Sequence, residues 1–336
     1  MEARLRLAVL LGGFAVSQML YVAARLNLAD HLTQGPMTIE ELALECAAKP
    51  EPLRRVVRAL AAFGVFRVDE EGRVANTALS EYLRTQMRGS LHDLAITYGE
   101  EQYTAMGELY EAVKRGGSAF ERVYRKPLFT YLTHNPDAAN AFYGAQNAMA
   151  AQAAEGVVDV YDFSEAGTVV EVGGGSGHLT RAVLRLNPRA RGVLFDSGAA
   201  ARRARAAVRS DGLQDRCEVL SGDPFESVPG GGDVYLLHDV IQEWDDDRDI
   251  RILRNCRRAM HSQSRLLVIE HVAPDKPVPT GAHQRTAVSD AVRLAISGGR
   301  TRTLDEHNRL LEESGFQVLD MRTTAWGDGV IEAVRP

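Results

Sequence analysis

The sequence is poor in the features that would tie a chain to a disulfide framework, a nucleic acid or a membrane. Its three cysteines, Cys46, Cys217 and Cys256, are odd in number, far apart and without metal-ligand spacing. That pattern excludes a disulfide scaffold and a cysteine-based zinc site, and it leaves buried free thiols as the expectation. There is no basic surplus: 39 Lys and Arg stand against 45 Asp and Glu, for a formal charge of −6. Non-specific binding to a phosphate backbone is built on excess Lys and Arg, so a small-molecule partner fits better than a nucleic acid. The one long apolar stretch, LAVLLGGFAVSQMLYVAARLNLADHL, is interrupted by Ser17, Gln18, Arg25 and Asn27, and no small-residue cleavage site with the right flanks follows it. It reads as a packed helix of a cytoplasmic protein, neither a span nor a signal peptide.

What is there is a chain of 336 residues, 45% hydrophobic, long enough for two domains with at least one sizeable core. In GPMTIEELALECAA, Thr38 and Glu41 have capping-box spacing, with Met37 and Leu42 placed to staple the helix start. The next segment sets Leu53, Val56, Val57, Leu60 and Phe63 on one helical face and runs into two short strands around DEEG. This is the outline of a winged helix. Between Thr38 and Arg84 eight acids face seven bases, so Arg54, Arg55 and Arg58 read as a solvated face and the module as one for packing or dimerisation.

Residues from about 90 to 155 read as helices, with Asn135-Pro136 as a turn. From Thr168 the grammar changes to strands alternating with helices: TVVEV, GVLFD, CEVLSGD, DVYLLHD and RLLVIEHV, then FQVLDMRTT and GVIEAVR around AWGDG. Five helix-linked strands and a terminal hairpin predict an open α/β sheet of seven strands whose last strand is antiparallel.

EVGGGSGHLT, Glu171 to Thr180, is a glycine-rich turn between a strand and a helix, and Asp196 ends the next strand. Glycines let backbone approach a ligand, and an acid at that distance commonly holds ribose hydroxyls, so a nucleoside-bearing cofactor is implied. Read alone, the turn also suits a dinucleotide. Glu171 just before the glycines, the position late in the chain, SGDPF after the third strand and the terminal hairpin separate the two.

These features, together with SQMLYVAARLNLADHL, RALAAFGVF, GDPFESVP, EWDDD, ILRNCRRAM and SGGRTRT, resemble the S-adenosylmethionine-dependent O-methyltransferase family of caffeate-type plant enzymes and bacterial natural-product tailoring enzymes. The resemblance runs nearly end to end. It implies a class I methyltransferase Rossmann-like sheet behind an N-terminal winged-helix dimerisation domain: residues 1–95 for dimerisation, 96–156 for linker and substrate-pocket helices, and 157–336 for cofactor binding. It implies a homodimer through the N-terminal domain, with no nucleic-acid or membrane partner. S-adenosyl-L-methionine would lie across Glu171, Gly173, Gly175, Asp196, Gly222, Asp223 and Phe225, with Asp196 on the ribose, Asp223 near the adenine and Phe225 over the ring. Asp223 otherwise reads as a turn acid ahead of Pro224.

Methyl transfer to oxygen is an in-line displacement in which the protein aligns the hydroxyl and removes its proton. The family's histidine base sits in an HDWDD-like motif, with two downstream glutamates orienting it or contacting substrate. Aligned on Trp244, its place is taken here by Gln242, whose amide takes no proton near neutral pH. Glu270 keeps one of the expected acids; the other is replaced by Thr301 in GGRTRT. His238, four residues before Gln242, shares a face with it if a helix continues there, so it reads either as a stand-in base or as a residue packed on the cofactor. His178 reads as a helix-start residue. Asp245, Asp246 and Asp247 open a helix that closes on Arg257 and Arg258, which complements its dipole, and no metal is expected. Trp244 reads equally as core or pocket lining. Phe142, Gln146, Met149, Trp244, Asp290 and Ile296 are the substrate-pocket candidates, for a flat, partly aromatic or polyketide-like ligand.

Three functions stay open: methyl transfer by proximity, with Gln242 and Glu270 orienting an acceptor that needs little base; a cofactor-binding enzyme that catalyses hydroxylation, decarboxylation or a pericyclic step; and a ligand-sensing DNA-binding regulator.

Overall fold

A computed structural model describes residues 2–336. Contacts divide the chain into two units, one of residues up to Gly107 with Phe129–Ala148, the other of Glu108–Leu128 with Met149–Pro336.

The first unit opens with helices Glu2–Leu11 and Gly13–Arg25, bent by 47°. The expectation of one packed helix is corrected here. Gly12 and Gly13, poor helix formers, break it, and Glu2–Leu11 buries no residue; Leu10 is 69% and Leu11 71% exposed. No single described helix is long and apolar enough to cross a membrane, although the bent pair together meets length and composition. Helix Ile39–Glu45 starts from the predicted capping box, Thr38 Oγ1 accepting from Glu41 N at 3.3 Å and Glu41 Oε2 from Thr38 N at 2.8 Å. Helix Pro50–Ala62 buries Leu53, Val57 and Leu60. Phe63 departs from that face because the helix has already ended, leaving it half exposed. Strands β1 (Phe66–Val68) and β2 (Val74–Asn76) pair antiparallel, and Leu28, Leu42, Leu60, Phe66 and Val74 share one core with both helices. This is the helix and hairpin arrangement of a winged helix.

The second unit holds β3 (Thr168–Val172), β4 (Arg191–Asp196), β5 (Cys217–Ser221), β6 (Val234–His238), β7 (Arg265–His271), β8 (Gln317–Thr323) and β9 (Asp328–Val334). Their spatial order is β5-β4-β3-β6-β7-β9-β8. β3 to β7 pair in parallel, while β9 runs antiparallel between β7 and β8, the seven-stranded sheet read from the sequence. One linkage differs. β5 and β6 are joined without a helix, because GDPFESVPGGGD carries two prolines and a run of three glycines.

Side-chain alternation gives the sheet two cores. Val170, Val172, Tyr235, Leu237 and Val268 pack on one face, and Val169, Leu236, Leu267 and Ile269 on the other. Strands buried on both faces need the continuous apolar runs seen in the sequence, each buried Val or Leu contributing about 1.5–3 kcal/mol. From β3 the chain builds outward first to one side, then from β6 to the other. The carboxyl ends of β3, β4, β6 and β7 therefore flank a switch point, where ligands of open α/β sheets bind.

Candidate active site

Beyond β3 the backbone takes left-handed φ at Gly173 (75°), Gly175 (60°) and Gly177 (73°) before helix His178–Leu186. A Cβ at Gly173 would stand 2.8 Å from Val240 Cγ2 and one at Gly177 2.4 Å from Leu194 Cδ1, whereas one at Gly175 meets nothing within 4 Å. The turn is packed tightly on its flanks and open at its centre. Glu171 is buried beneath it, its Oε2 accepting from Thr180 N at 3.0 Å, and burial pushes its carboxyl pKa up. Asp196 Oδ2 accepts from Gly175 N at 2.9 Å and Oδ1 from Ser197 N at 2.6 Å; burial raises its pKa against those bonds. The Gly222 amide donates to Asp196 O at 3.0 Å, and a Cβ at Gly222 would strike the Phe195 ring. Asp223 is exposed and turns onto its own loop, Oδ1 accepting from Phe225 N at 2.8 Å. Phe225 meets Trp244 edge to face at 5.3 Å between centroids. His178 starts its helix, as expected, and burial with nearby Arg181 drives its imidazole down to about 4.

β6 ends at His238, which is buried, and the helical continuation that would put His238 and Gln242 on one face is absent. Asp239 sits at φ 55°, followed by a short 3-10 turn, Ile241–Glu243. His238 and Gln242 are therefore not one helical turn apart on a shared face. Gln242 is buried; its Nε2 donates to Asp239 Oδ1 at 2.6 Å, and its Oε1 has no protein partner among the described residues. Glu270, buried near the end of β7, uses Oε1 to accept from Val240 N at 3.1 Å and Ile241 N at 3.0 Å. Burial, then the Asp239 charge, lifts its pKa well above the usual carboxylate value.

The loop 297–303 clamps the other side of this turn. Arg300 N donates to Gln242 O at 3.0 Å, and a Cβ at Gly299 would lie 2.1 Å from that oxygen, so only glycine permits the approach. Arg302, fully buried, donates to Ile241 O at 2.7 Å and pairs with Asp246 at 2.6 Å and Asp249 at 2.7 Å. Asp246 thus serves a buried arginine, while Asp245 caps the helix Asp246–Ala259 through Arg248 N at 3.0 Å. On helix Gly281–Ile296, Arg293 Nε reaches Glu243 at 3.3 Å and Nη1 donates to Thr301 Oγ1 at 2.8 Å. Asp290, one turn earlier, accepts from Thr301 N at 2.6 Å.

Of the sequence-derived residues, the second unit brings Gln242, Glu270, Asp290 and Thr301 into one connected cluster around the turn after β6, and Glu171, Gly173, Gly175, Asp196 and Gly222 into another at the ends of β3 to β5. Ile296 is buried, its carbonyl accepting from Ser118 Oγ at 2.7 Å. Met149 is exposed at the head of the chain's return to this unit. Phe142 and Gln146 belong to the first unit, where Phe142 meets Tyr143 edge to face at 5.4 Å and Gln146 is exposed. Three participants were missed. They are Asp239, Arg293 and Arg302; a lone arginine in the apolar run AVRLAI was the available signal for Arg293.

Comparison with known proteins points to one family. Residues 106–317 match the O-methyltransferase domain and residues 8–86 the O-methyltransferase dimerisation domain. The phenazine O-methyltransferase PhzM of Lysobacter antibioticus is 41% identical over 96% of this chain and 93% of its own length. Among solved structures, the mitomycin 7-O-methyltransferase MmcR has a TM-score of 0.91 at 34% identity, covering 100% of this chain and 98% of its own. The neocarzinostatin-pathway O-methyltransferase NcsB1, solved with S-adenosylmethionine and 2-hydroxy-5-methyl naphthoic acid, has a TM-score of 0.82 at 28% identity, covering 96% of each chain.

Proposed function

Because the chain belongs to the O-methyltransferase family, and so is an S-adenosylmethionine-dependent methyltransferase, we propose that it methylates a small aromatic or polyketide-like natural product whose acceptor atom reacts without an imidazole base. The observation that carries this reading is Gln242, an amide in the family's base position, buried and bonded to Asp239.

The residues at the ends of β3 to β5 suit the cofactor. The centre of the glycine turn is open, a half-buried acid lies beside it, and Thr180 Oγ1 is buried without a protein partner among the described residues. We assign Gly173, Gly175 and Gly222 to backbone contact with the cofactor, Asp196 to its ribose, Asp223 and Phe225 to its base, and Glu171 and His238 to the walls. When bound, S-adenosylmethionine supplies a methyl on a sulfonium, a very good leaving group. The chain's own work is then alignment. Glu270 and Arg302 hold the turn Ile241–Glu243 from its amide and carbonyl sides, and Gln242 is fixed with them. Met149, Trp244, Asp290 and Ile296 are proposed to face the acceptor. The segments 1–95, 96–156 and 157–336 are proposed to serve dimerisation, acceptor binding and cofactor binding, with the exposed apolar helix Glu2–Leu11 in a homodimer contact.

The test is incubation of the purified protein with S-adenosylmethionine and a panel of hydroxylated phenazines and naphthoates, followed by mass spectrometry. Methylated product and adenosylhomocysteine in equal amounts are expected. An altered acceptor with no adenosylhomocysteine would sink methyl transfer in favour of a non-methylating tailoring step.

A further inference from the structure

From Val234 to Gln242 every residue is buried except Asp239, whose side chain is 38% exposed. The residue at the base's sequence position is thus enclosed, and the accessible carboxylate of the same turn is its hydrogen-bond partner. We propose, on the methyltransferase reading above, that Asp239 takes the acceptor's proton and that Gln242 is the residue positioning it.

The local geometry is built around that carboxylate. Asp239 leaves the strand direction through a left-handed φ of 55°, a conformation uncommon for non-glycine residues and best tolerated by Asn and Asp. Its amide is tied to Ile269 O at 3.1 Å, which fixes the backbone while the side chain turns away from the packed strand. Oδ1 receives the Gln242 amide at 2.6 Å, and Oδ2 lies 3.5 Å from His238 Nε2. A strained backbone held by surrounding bonds is a mark of functional turns. Gln242 donates without being able to accept the proton itself.

The other acids near the turn do not compete: Glu243 is paired with Arg293 at 3.3 Å and is less exposed than Asp239. Glu270 is enclosed in the sheet, spends Oε1 on two backbone amides and is driven toward its neutral form by burial and by the Asp239 charge. Its other charged neighbours are Arg293, Asp249 and Glu243.

In the step, the acceptor's O–H proton passes to an Asp239 oxygen while an oxygen lone pair forms the new O–CH3 bond. The S–CH3 bonding pair stays on sulfur, giving neutral adenosylhomocysteine, and Asp239 releases the proton through its exposed side. Carboxylates are weaker bases than imidazole, so such a site serves a hydroxyl on an electron-poor ring.

The test compares wild type, Asp239→Asn, Asp239→Glu and Asp239→Asn with Gln242→His. The acceptor is whichever hydroxylated phenazine or naphthoate gives wild type its highest adenosylhomocysteine yield. Asn keeps the left-handed turn and the shape. Asp239→Asn is expected to bind adenosylhomocysteine by calorimetry as wild type does and to keep KM, while kcat falls about a hundredfold or more. Asp239→Glu, and His at position 242, should each restore part of it. Unchanged kcat in Asp239→Asn overturns the proposal. So does a loss of adenosylhomocysteine binding with kcat recovered at saturating methyl donor, which would make Asp239 a cofactor contact. If wild type forms no adenosylhomocysteine with any acceptor, the methyltransferase reading itself fails.

Discussion

Arg293 donates to the Thr301 hydroxyl at 2.8 Å and also pairs with Glu243, so one cation ties the loop 297–303 to the turn after β6. Arg293→Met removes both contacts and leaves Glu243 partly buried without its partner. A loss of about 1–3 kcal/mol in urea denaturation is expected. Combined with Glu243→Gln, the two losses should fall short of additivity by about 0.5 kcal/mol or more. Strict additivity would mean that the pair is not coupled.

Asp196 is held by two backbone amides and partly withdrawn from water, which fixes the carboxylate proposed to receive the cofactor's ribose. Asp196→Ala is expected to weaken adenosylhomocysteine binding about tenfold to a hundredfold, the worth of a hydrogen bond to a charged group. Calorimetry measures this directly, and unchanged affinity would remove the assignment.

His307 is buried with neither ring nitrogen bonded among the described residues. Burial first, then Arg302 and Arg300 against the opposing Glu306, holds its imidazole down at about 4 from 6.5. Below pH 6.5 the unfolded chain takes up a proton that the folded chain refuses until about pH 4. The stability from a neutral His307 is therefore complete above the higher value and is lost as pH falls through the window, by about 3 kcal/mol in all. His307→Leu should flatten the fall in Tm between pH 6.5 and pH 4 relative to wild type. Parallel Tm curves would place the acid sensitivity at His178 and elsewhere.

Leu10 and Leu11 stand on a helix that buries nothing within its own chain. Changing both to Asp is expected to shift the mass in solution from a dimer to the 36.8 kDa monomer, as read by light scattering. A dimer that persists would put the contact on another part of the first unit.

The sheet was legible because strands buried on both faces cannot hide their composition: TVVEV carries three valines in five residues and RLLVIEH an unbroken run of four aliphatic residues. The capping box at Thr38 and Glu41 was legible because it is local chemistry. The break at Gly12 was not, since apolar residues continue across it. The turn after β6 was not legible because the left-handed Asp239 gives no signal in a residue pattern, so whether a helix continued from His238 to Gln242 stayed open. Arg293 and Arg302 act on partners 50 and 61 residues away, and a charge whose partner is that distant reads as an ordinary surface residue.

The chain enters the second unit at Glu108, returns to the first for Phe129–Ala148, and then leaves it for good. Helix Pro136–Val160 begins in one and finishes in the other. A ribosome that has delivered the winged helix has therefore not delivered a finished unit, because part of it is still in the exit tunnel behind a segment belonging to its neighbour. Domains usually mature in order as they emerge. Here the first must wait for Ala148, beyond a segment that belongs to the second, and no single proteolytic nick divides the chain into the two units.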